Sequence, residues 1–392
     1  MKVTYSSIAE QERLDILAQI TRSIEAHFAH WLDARITPAE LGREHDRFAI
    51  LIRQSDGNRK EFSLQMMAFL SLLNNGHTRF HDPWLAQLPP LGMTLREIGG
   101  EWVVTESLLP ELTSGDVVEQ IEGKAVSDRY QDLQPYLVGS PQSRTVQFGD
   151  WNSVFPPVLG LLLPDSYTVT FRDSADVSNE LRVDRTQLVS DNAEKVTDGR
   201  CCAEGVAYLK IPSFFQPIFE ERALALLGGF KDSHSLIVDV RGNAGGSTPR
   251  ALLSALMDRP YRLWAYQTGG AEEKVESDLV TPTEDAYAGK MYLLTDRHTW
   301  SAAEDFAMPF SDTGRAVLVG ETTGGSTGQP FFHGFDNGMS FSTGAMRVWF
   351  PDGGDFEGVG IQPDISVPLT REDIYAGYDP VLQTVLGLIA EK

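Results

Sequence analysis

The chain has 392 residues, 42% of them hydrophobic and 22% charged, with a formal net charge of −22. At about 100–200 residues per domain, that length predicts two or three domains, and the composition excludes a largely disordered chain. A field this negative repels phosphate backbones and anionic bilayers, so neither nucleic acid nor a membrane is an expected partner.

Cys201 and Cys202 are the two cysteines. Being adjacent, they are ill placed to bridge each other and supply no framework of spaced pairs, which favours a reducing compartment. The first residues, MKVTYSSIAEQERLDILAQI, contain no apolar h-region. The expectation is a cytoplasmic chain, or a periplasmic or secreted one if a signal has been removed. The apolar run VLGLLLP at Val158–Pro164 is far too short to span a bilayer.

From Ile8 to about Leu73 the sequence predicts helices. In LDILAQITRSIEAHFAHWL, residues Leu14, Ile16, Leu17, Ile20, Ile24, Phe28 and Trp31 share one broad face. A second helix, EFSLQMMAFLSLLNN, stops at Asn74-Asn75-Gly76. GHTRFHDPW then forms a loop closed by Pro83.

From about Pro90 to Asp184 short strands and turns take over. GGEWVVTESLL and SYTVTFRD alternate as strands do. Between them, ELTSGDVVEQIEGKAVSDRYQDL reads as a turn, a strand, a Glu-Gly turn and a helix. Gly115-Asp116-Val117-Val118 and Ile121-Glu122-Gly123-Lys124-Ala125-Val126 resemble the paired elements of a PDZ domain, here with the insertion GSPQSRTVQFGDWNSVFPPVLGLLL. That resemblance implies either capture of an extended peptide on a sheet edge or a gating module with no ligand of its own.

After a polar connector, RTQLVSDNAEKVTDGR, strands alternate with helices: GVAYLKI, IFEERALALLGGF, SLIVDV, KMYLLT, SAAEDFAMPF and AVLVG. This spacing predicts an α/β layer of mostly parallel strands. The expected domains are therefore a helical region at 1–86, a PDZ-like domain with insertion at 87–185, and an α/β catalytic domain at 200–392.

Three pieces of the last region carry chemistry. LIVDVRGNAGGS runs an apolar strand into a glycine-rich turn, Arg241 to Gly246, whose bare amides suit an oxyanion. No Gly-Lys-(Ser/Thr) follows, so it is not a phosphate loop. YLLTDRHTWSAAE places Ser301 at the mouth of a helix, where alone it reads as an ordinary N-cap, although the helix end and the Ala302 amide beside it would also suit a nucleophile. PDGGDFEGVGIQPDISVP carries Glu357 in a glycine-rich turn, where alone it reads as a solvated carboxylate.

In order and spacing, DVRGNAGG, SAAEDFA with GRAVLVGETTGG, FEGVGIQPDI and DIYAGYDPVLQTVLGLI resemble the serine peptidase family of the C-terminal processing proteases and tricorn protease. The resemblance covers essentially the whole chain. It implies a crotonase-like α/β core and a serine nucleophile at Ser301. The oxyanion hole it implies comprises Ala302 and the turn amide of Gly245 or Gly246. It implies no metal or organic cofactor, peptide or unfolded protein as substrate, and a possible oligomer.

The C-terminal processing branch takes its base from a lysine at the end of GETTGG, where this chain has Ser326, and no lysine occurs between Lys290 and Lys392. The tricorn-like branch takes a histidine from the helical region and a late glutamate, positions matched by His77 and Glu357. Tricorn protease interposes a serine before that histidine, whereas here the residue is Gly76. Either Glu357 reaches His77 directly, or water or another side chain fills the gap.

His298 is the runner-up base, Arg241 is expected to brace its turn, and Glu304 to partner the helix-start amides. HTRFH lacks the interior glutamate of a zinc-protease helix, so His77 and His81 are not expected to bind metal. Two rival readings are a ligand-binding, non-proteolytic member of the family and an esterase on the same scaffold.

Overall fold

Three N-terminal helices, Glu10–His27, Pro38–Gln54 and Arg59–Ser71, fill the region read as helical. The computed structural model describes residues 7–150, 157–189, 195–271, 273–277 and 279–391. It is a mixed α/β structure that divides into two compact units. The first comprises Met1–Ser190, Gln267–Glu272 and Gln329–Arg347, and the second Asp191–Tyr266, Glu273–Gly328 and Val348–Lys392.

In the first unit, Ile16, Leu17, Ile20 and Ile24 of the first helix are buried together. That helix ends before Phe28 and Trp31, which the sequence places on the same face. The backbone turns extended at Phe28, and the Ala29 N–H bonds Gly344 O at 2.9 Å, so a sheet contact replaces the next helical bond. Phe28 remains in the same core, with Trp31 edge-on against it. Asn58 caps the third helix by accepting the Lys60 and Glu61 N–H groups. Beyond its end Asn74 takes a left-handed φ of 47°. A three-stranded antiparallel sheet follows the order Arg79–His81, Ser340–Gly344, Pro330–Gly334.

A second antiparallel sheet runs Met93–Ile98, Glu101–Ser107, Val117–Ile121, Ser166–Arg172, Ser178–Asp184, with Lys124–Ala125 hairpinned onto Val117–Ile121. The Glu-Gly turn read from the sequence is present. Glu122 and Gly123 both have positive φ, 50° and 66°, as a two-residue hairpin requires. The stretch read as an insertion forms helices Pro141–Gly149 and Val158–Leu162, and its residues 151–156 lie outside the described residues.

The second unit carries a six-stranded sheet in the order Ile365–Ser366, Val317–Gly320, Lys290–Thr295, Ser235–Asp239, Val206–Lys210, Asp198–Ala203. All neighbours are parallel except the last pair. Ser235–Asp239 is buried at every position, the pattern of a parallel strand covered on both faces. Val381 and Val385 of helix Pro380–Ala390 join Ile237, Tyr292, Leu294 and Val319 in one core. Strand Asp198–Ala203 begins inside the stretch read as a polar connector, because its backbone pairs along Val206–Lys210 despite polar side chains. Connector residues 190–194 lie outside the described residues. Among the described residues no helix is long and apolar enough to cross a membrane.

Arg315 is buried and donates to Leu256 O and Gly289 O at 3.0 Å each and to Tyr287 O at 2.6 Å. Arg315→Met keeps the stem and strips three buried carbonyls of their donor. A loss on the order of 3 kcal/mol is expected, read as a lowered thermal midpoint; an unchanged midpoint would contradict this account.

Candidate active site

Parallel pairing of Ser235–Asp239 with Lys290–Thr295 sets Asp239 opposite Leu294, so the chain leaves both strands at the same sheet edge. Open α/β sheets place ligands at such carboxyl ends. The two emerging turns are tied together. Gly242 N–H donates to Asp296 Oδ1 at 3.0 Å, and Trp300 N–H donates to Asn243 O at 3.0 Å. The fully buried Asn243 also donates to Ile211 O and accepts the Gly245 N–H at 2.9 Å.

Ser301 follows with φ 57° and ψ −124°, a conformation that costs a non-glycine residue about 1–3 kcal/mol. It persists because its backbone is held on both sides. Its N–H lies 3.2 Å from Ser326 O and 3.0 Å from Glu304 Oε2, and its carbonyl accepts the N–H groups of Glu304 and Asp305. Ser301 stands at the N-cap position of helix Ala302–Thr313 and forms the capping-box pair with Glu304, whose Oε2 accepts the Ser301 N–H.

The glycine turn lies directly against it. A Cβ on Gly245 would come within 2.8 Å of Ser301 Cβ and 2.9 Å of Ala302 N, and one on Gly246 within 2.2 Å of the Phe214 backbone. Only bare backbone fits at either position. Gly245 spends its N–H on Asn243. Among the described residues, the N–H groups of Gly246 and Ala302 make no backbone hydrogen bond.

Glu304 is fully buried and binds far more than the helix start. Besides the Ser301 N–H it accepts the Thr323 hydroxyl, the Gly325 N–H at 2.7 Å and the Ser326 N–H at 3.1 Å. Burial pushes its carboxyl up to about 8, against these four donors, which pull it down. Glu357, which in isolation reads as solvated, is only 8% exposed, and Ser326 Oγ donates to its Oε1 at 2.9 Å. The sequence marks Ser326 only by the lysine it displaces.

His77 belongs to the first unit, whereas Ser301, Ala302, Gly245, Gly246 and Glu357 belong to the second. Asn75 organises the turn at His77 through Oδ1, which accepts the His77 N–H at 3.0 Å and the Thr78 hydroxyl at 3.1 Å. The Ser342 hydroxyl donates to His77 O at 2.6 Å. Burial, then the charges of Arg79 and His30, hold the imidazole down at about 3. Sequence reasoning overlooked Asn75, reading it only as part of a helix stop.

The other residues singled out have separate roles. His298 lies 3.5 Å from Asp296 through Nδ1. Arg241 braces its turn by pairing with both Asp239 and Asp379. Lys290 opens the strand whose far end leads to Ser301, and stacks on Tyr292. Among the described residues no group of three His, Cys, Asp or Glu side chains is placed to hold a metal ion.

Glu304→Gln should be damaging, because an amide offers one acceptor oxygen and turns its NH2 toward N–H groups. A destabilisation on the order of 2–3 kcal/mol is expected in denaturant titration, and a variant as stable as wild type would show that the clasp is dispensable.

Residues 205–367 match the model of peptidase family S41. The tail-specific protease of Haemophilus influenzae is 30% identical over 142 residues, 35% of this chain and 20% of that protein. The tricorn protease of Thermoplasma acidophilum is 25% identical over 159 residues, 40% of this chain and 14% of that protein. The matched stretch thus spans a fifth or less of either relative. Among solved structures, that of mature CPAF complexed with lactacystin has a TM-score of 0.78 at 17% identity, covering 97% of this chain and 98% of that one, which is a likeness of fold. The segment that holds the glycine turn, the strained serine and the Glu304 clasp is thus the one that matches the peptidase family S41 model and resembles the C-terminal processing peptidases.

Proposed function

We propose that this chain is a serine peptidase of the tricorn-like branch, acting on peptide or unfolded protein through an acyl-enzyme. Its parts are a helical region at 1–86, a PDZ-like domain at 87–185 and a crotonase-like core at 200–392. The observation that carries the reading is Ser301 held at positive φ on a helix mouth, with the Gly245-Gly246 backbone against it. An N-cap alone requires neither feature, and the same helix end can serve both roles.

In this reading His77 takes the Ser301 hydroxyl proton as the oxygen attacks the scissile carbonyl. The resulting oxyanion lies on the Ala302 and Gly246 N–H groups. Collapse expels the amine, which takes the proton from His77, and water then cleaves the serine ester by the same route. Glu357 orients the imidazole and stabilises its cation. The chemistry needs no cofactor. The lack of a lysine between Lys290 and Lys392 supports histidine as the base.

Ser301→Ala should abolish hydrolysis of fluorescein-labelled casein without moving the thermal midpoint, and a fluorophosphonate should label wild type at Ser301. His77→Ala should lower kcat by about 10⁴-fold, and Lys290→Ala should leave the rate unchanged. Full activity in Ser301→Ala would refute the assignment, and turnover of an ester panel without peptide cleavage would make the protein an esterase.

The pH dependence has a definite sign. His77 is held at about 3 against an ordinary 6.5, so the folded state favours the neutral ring. Stability from this source is present above pH 6.5 and is lost as pH falls toward 3. The acid limb of kcat/KM is expected below 6.5; a limb at or above that value would count against a buried, neutral base.

A further inference from the structure

We propose that Asp305 is a positioning residue for the glycine turn, holding the Gly246 N–H in line with Ser301 through the Thr248 hydroxyl. The inference rests on the peptidase reading above and adds to it a side chain that acts only through another. Every residue involved belongs to the second unit.

Gly245 and Gly246 both take positive φ, 91° and 132°, and have no side chains to lock them. The direction of the Gly246 N–H is therefore set by whatever holds the flanks of the turn. Before it stands Asn243, which accepts the Gly245 N–H at 2.9 Å. Phe214 lies alongside: its N–H donates to Gly245 O at 2.9 Å, and its carbonyl accepts the Ser247 N–H at 2.8 Å. After the glycines, the Thr248 hydroxyl donates to Asp305 Oδ2 at 2.6 Å. Asp305 is in turn fixed to the serine, because its N–H donates to Ser301 O at 3.1 Å. Glycine turn and nucleophile thus share one reference point on the helix.

The other bonds of Asp305 show why a carboxylate stands here. Its Oδ1 accepts the Trp264 Nε1–H and the Thr327 hydroxyl at 2.7 Å each. Three donors converge on two oxygens, and an ionised carboxyl accepts on both without presenting a donor of its own. Trp264 also packs on Phe356, the residue before Glu357, with ring centroids 4.5 Å apart. The group that steadies the glycine turn is therefore braced against the glutamate's turn as well. Such bracing matters most for an amide that must meet a developing charge, since a misplacement of about 1 Å can cost about 10²-fold in rate.

The test is Thr248→Val, which keeps the branched shape and removes the hydroxyl. It is read as kcat and KM on fluorescein-labelled casein and as the rate of fluorophosphonate labelling at Ser301, well below the thermal midpoint. Displacing the amide should lower kcat by about ten-fold or more with KM nearly unchanged. Labelling should slow by a similar factor, because the phosphonyl oxygen draws on the same amides. Thr248→Ser, which restores the hydroxyl, should return both rates to within about two-fold of wild type. Asp305→Asn should reproduce the loss. The Trp264 N–H can only donate, so it keeps the amide oxygen and leaves the NH2 facing Thr248. That variant decides by the same readings should Thr248→Val fail to fold. Wild-type rates in Thr248→Val, a loss confined to KM, a lowered thermal midpoint with both rates intact, or no rescue in Thr248→Ser would overturn the role. If Ser301→Ala abolishes hydrolysis while Thr248→Val keeps wild-type rates, the positioning role alone has failed. If wild type neither cleaves casein nor reacts with a fluorophosphonate, the peptidase reading has failed and this role falls with it.

Discussion

A single buried carboxylate holds the second unit's chemistry in place. Glu304 collects the N–H groups of Ser301, Gly325 and Ser326 and the Thr323 hydroxyl, with no solvent to share them. Each bond is charge-assisted when the carboxyl is ionised, and each would leave a buried donor unpaired if it were lost. That is how a strained serine stays strained. The clasp extends further, because Thr323 Oγ1 accepts the Ile361 N–H at 2.8 Å and so draws in the segment that follows Glu357.

A second set of charges supports the sheet edge from behind. Arg241 bridges Asp239, at the end of the central strand, and Asp379, which also accepts the Leu382 N–H at the start of the last helix. Asp239 further receives the Tyr208 hydroxyl at 2.6 Å. These bidentate pairs link the glycine turn to three elements, and a guanidinium is suited to this because its donors form a planar fork. Their value is positional. They keep the turn's backbone in register with Ser301, while the bonds at Asn243 decide which of its amides remains available.

In the first unit the same economy of polar groups surrounds His77. Asn75 is wholly buried and stands where a side chain can complete the turn's hydrogen bonds, and Gly344 passes so close that a Cβ there would meet Asn75 Oδ1 at 2.4 Å. A ring buried beside Arg79 and His30 stays neutral, and a neutral imidazole is the form that accepts a proton.

By itself the sequence determined the local elements. Helical spacing in the first seventy residues, the Glu122-Gly123 turn, the buried strand Ser235–Asp239 and the helix starting after Ser301 are each set by neighbours in the chain, through periodicity and glycine conformations. It also marked Ser301 as ambiguous, because Ser-x-x-Glu specifies a helix start whatever else the serine does. Only tertiary structure decided the rest. Thr323, Gly325 and Ser326 meet Glu304 from about twenty positions away in the chain, and Ser326 meets Glu357 at a separation of 31. No local pattern encodes those contacts. A buried carboxylate takes whatever donors the fold delivers to it, so its partners are settled by packing and strand order, not by spacing along the chain.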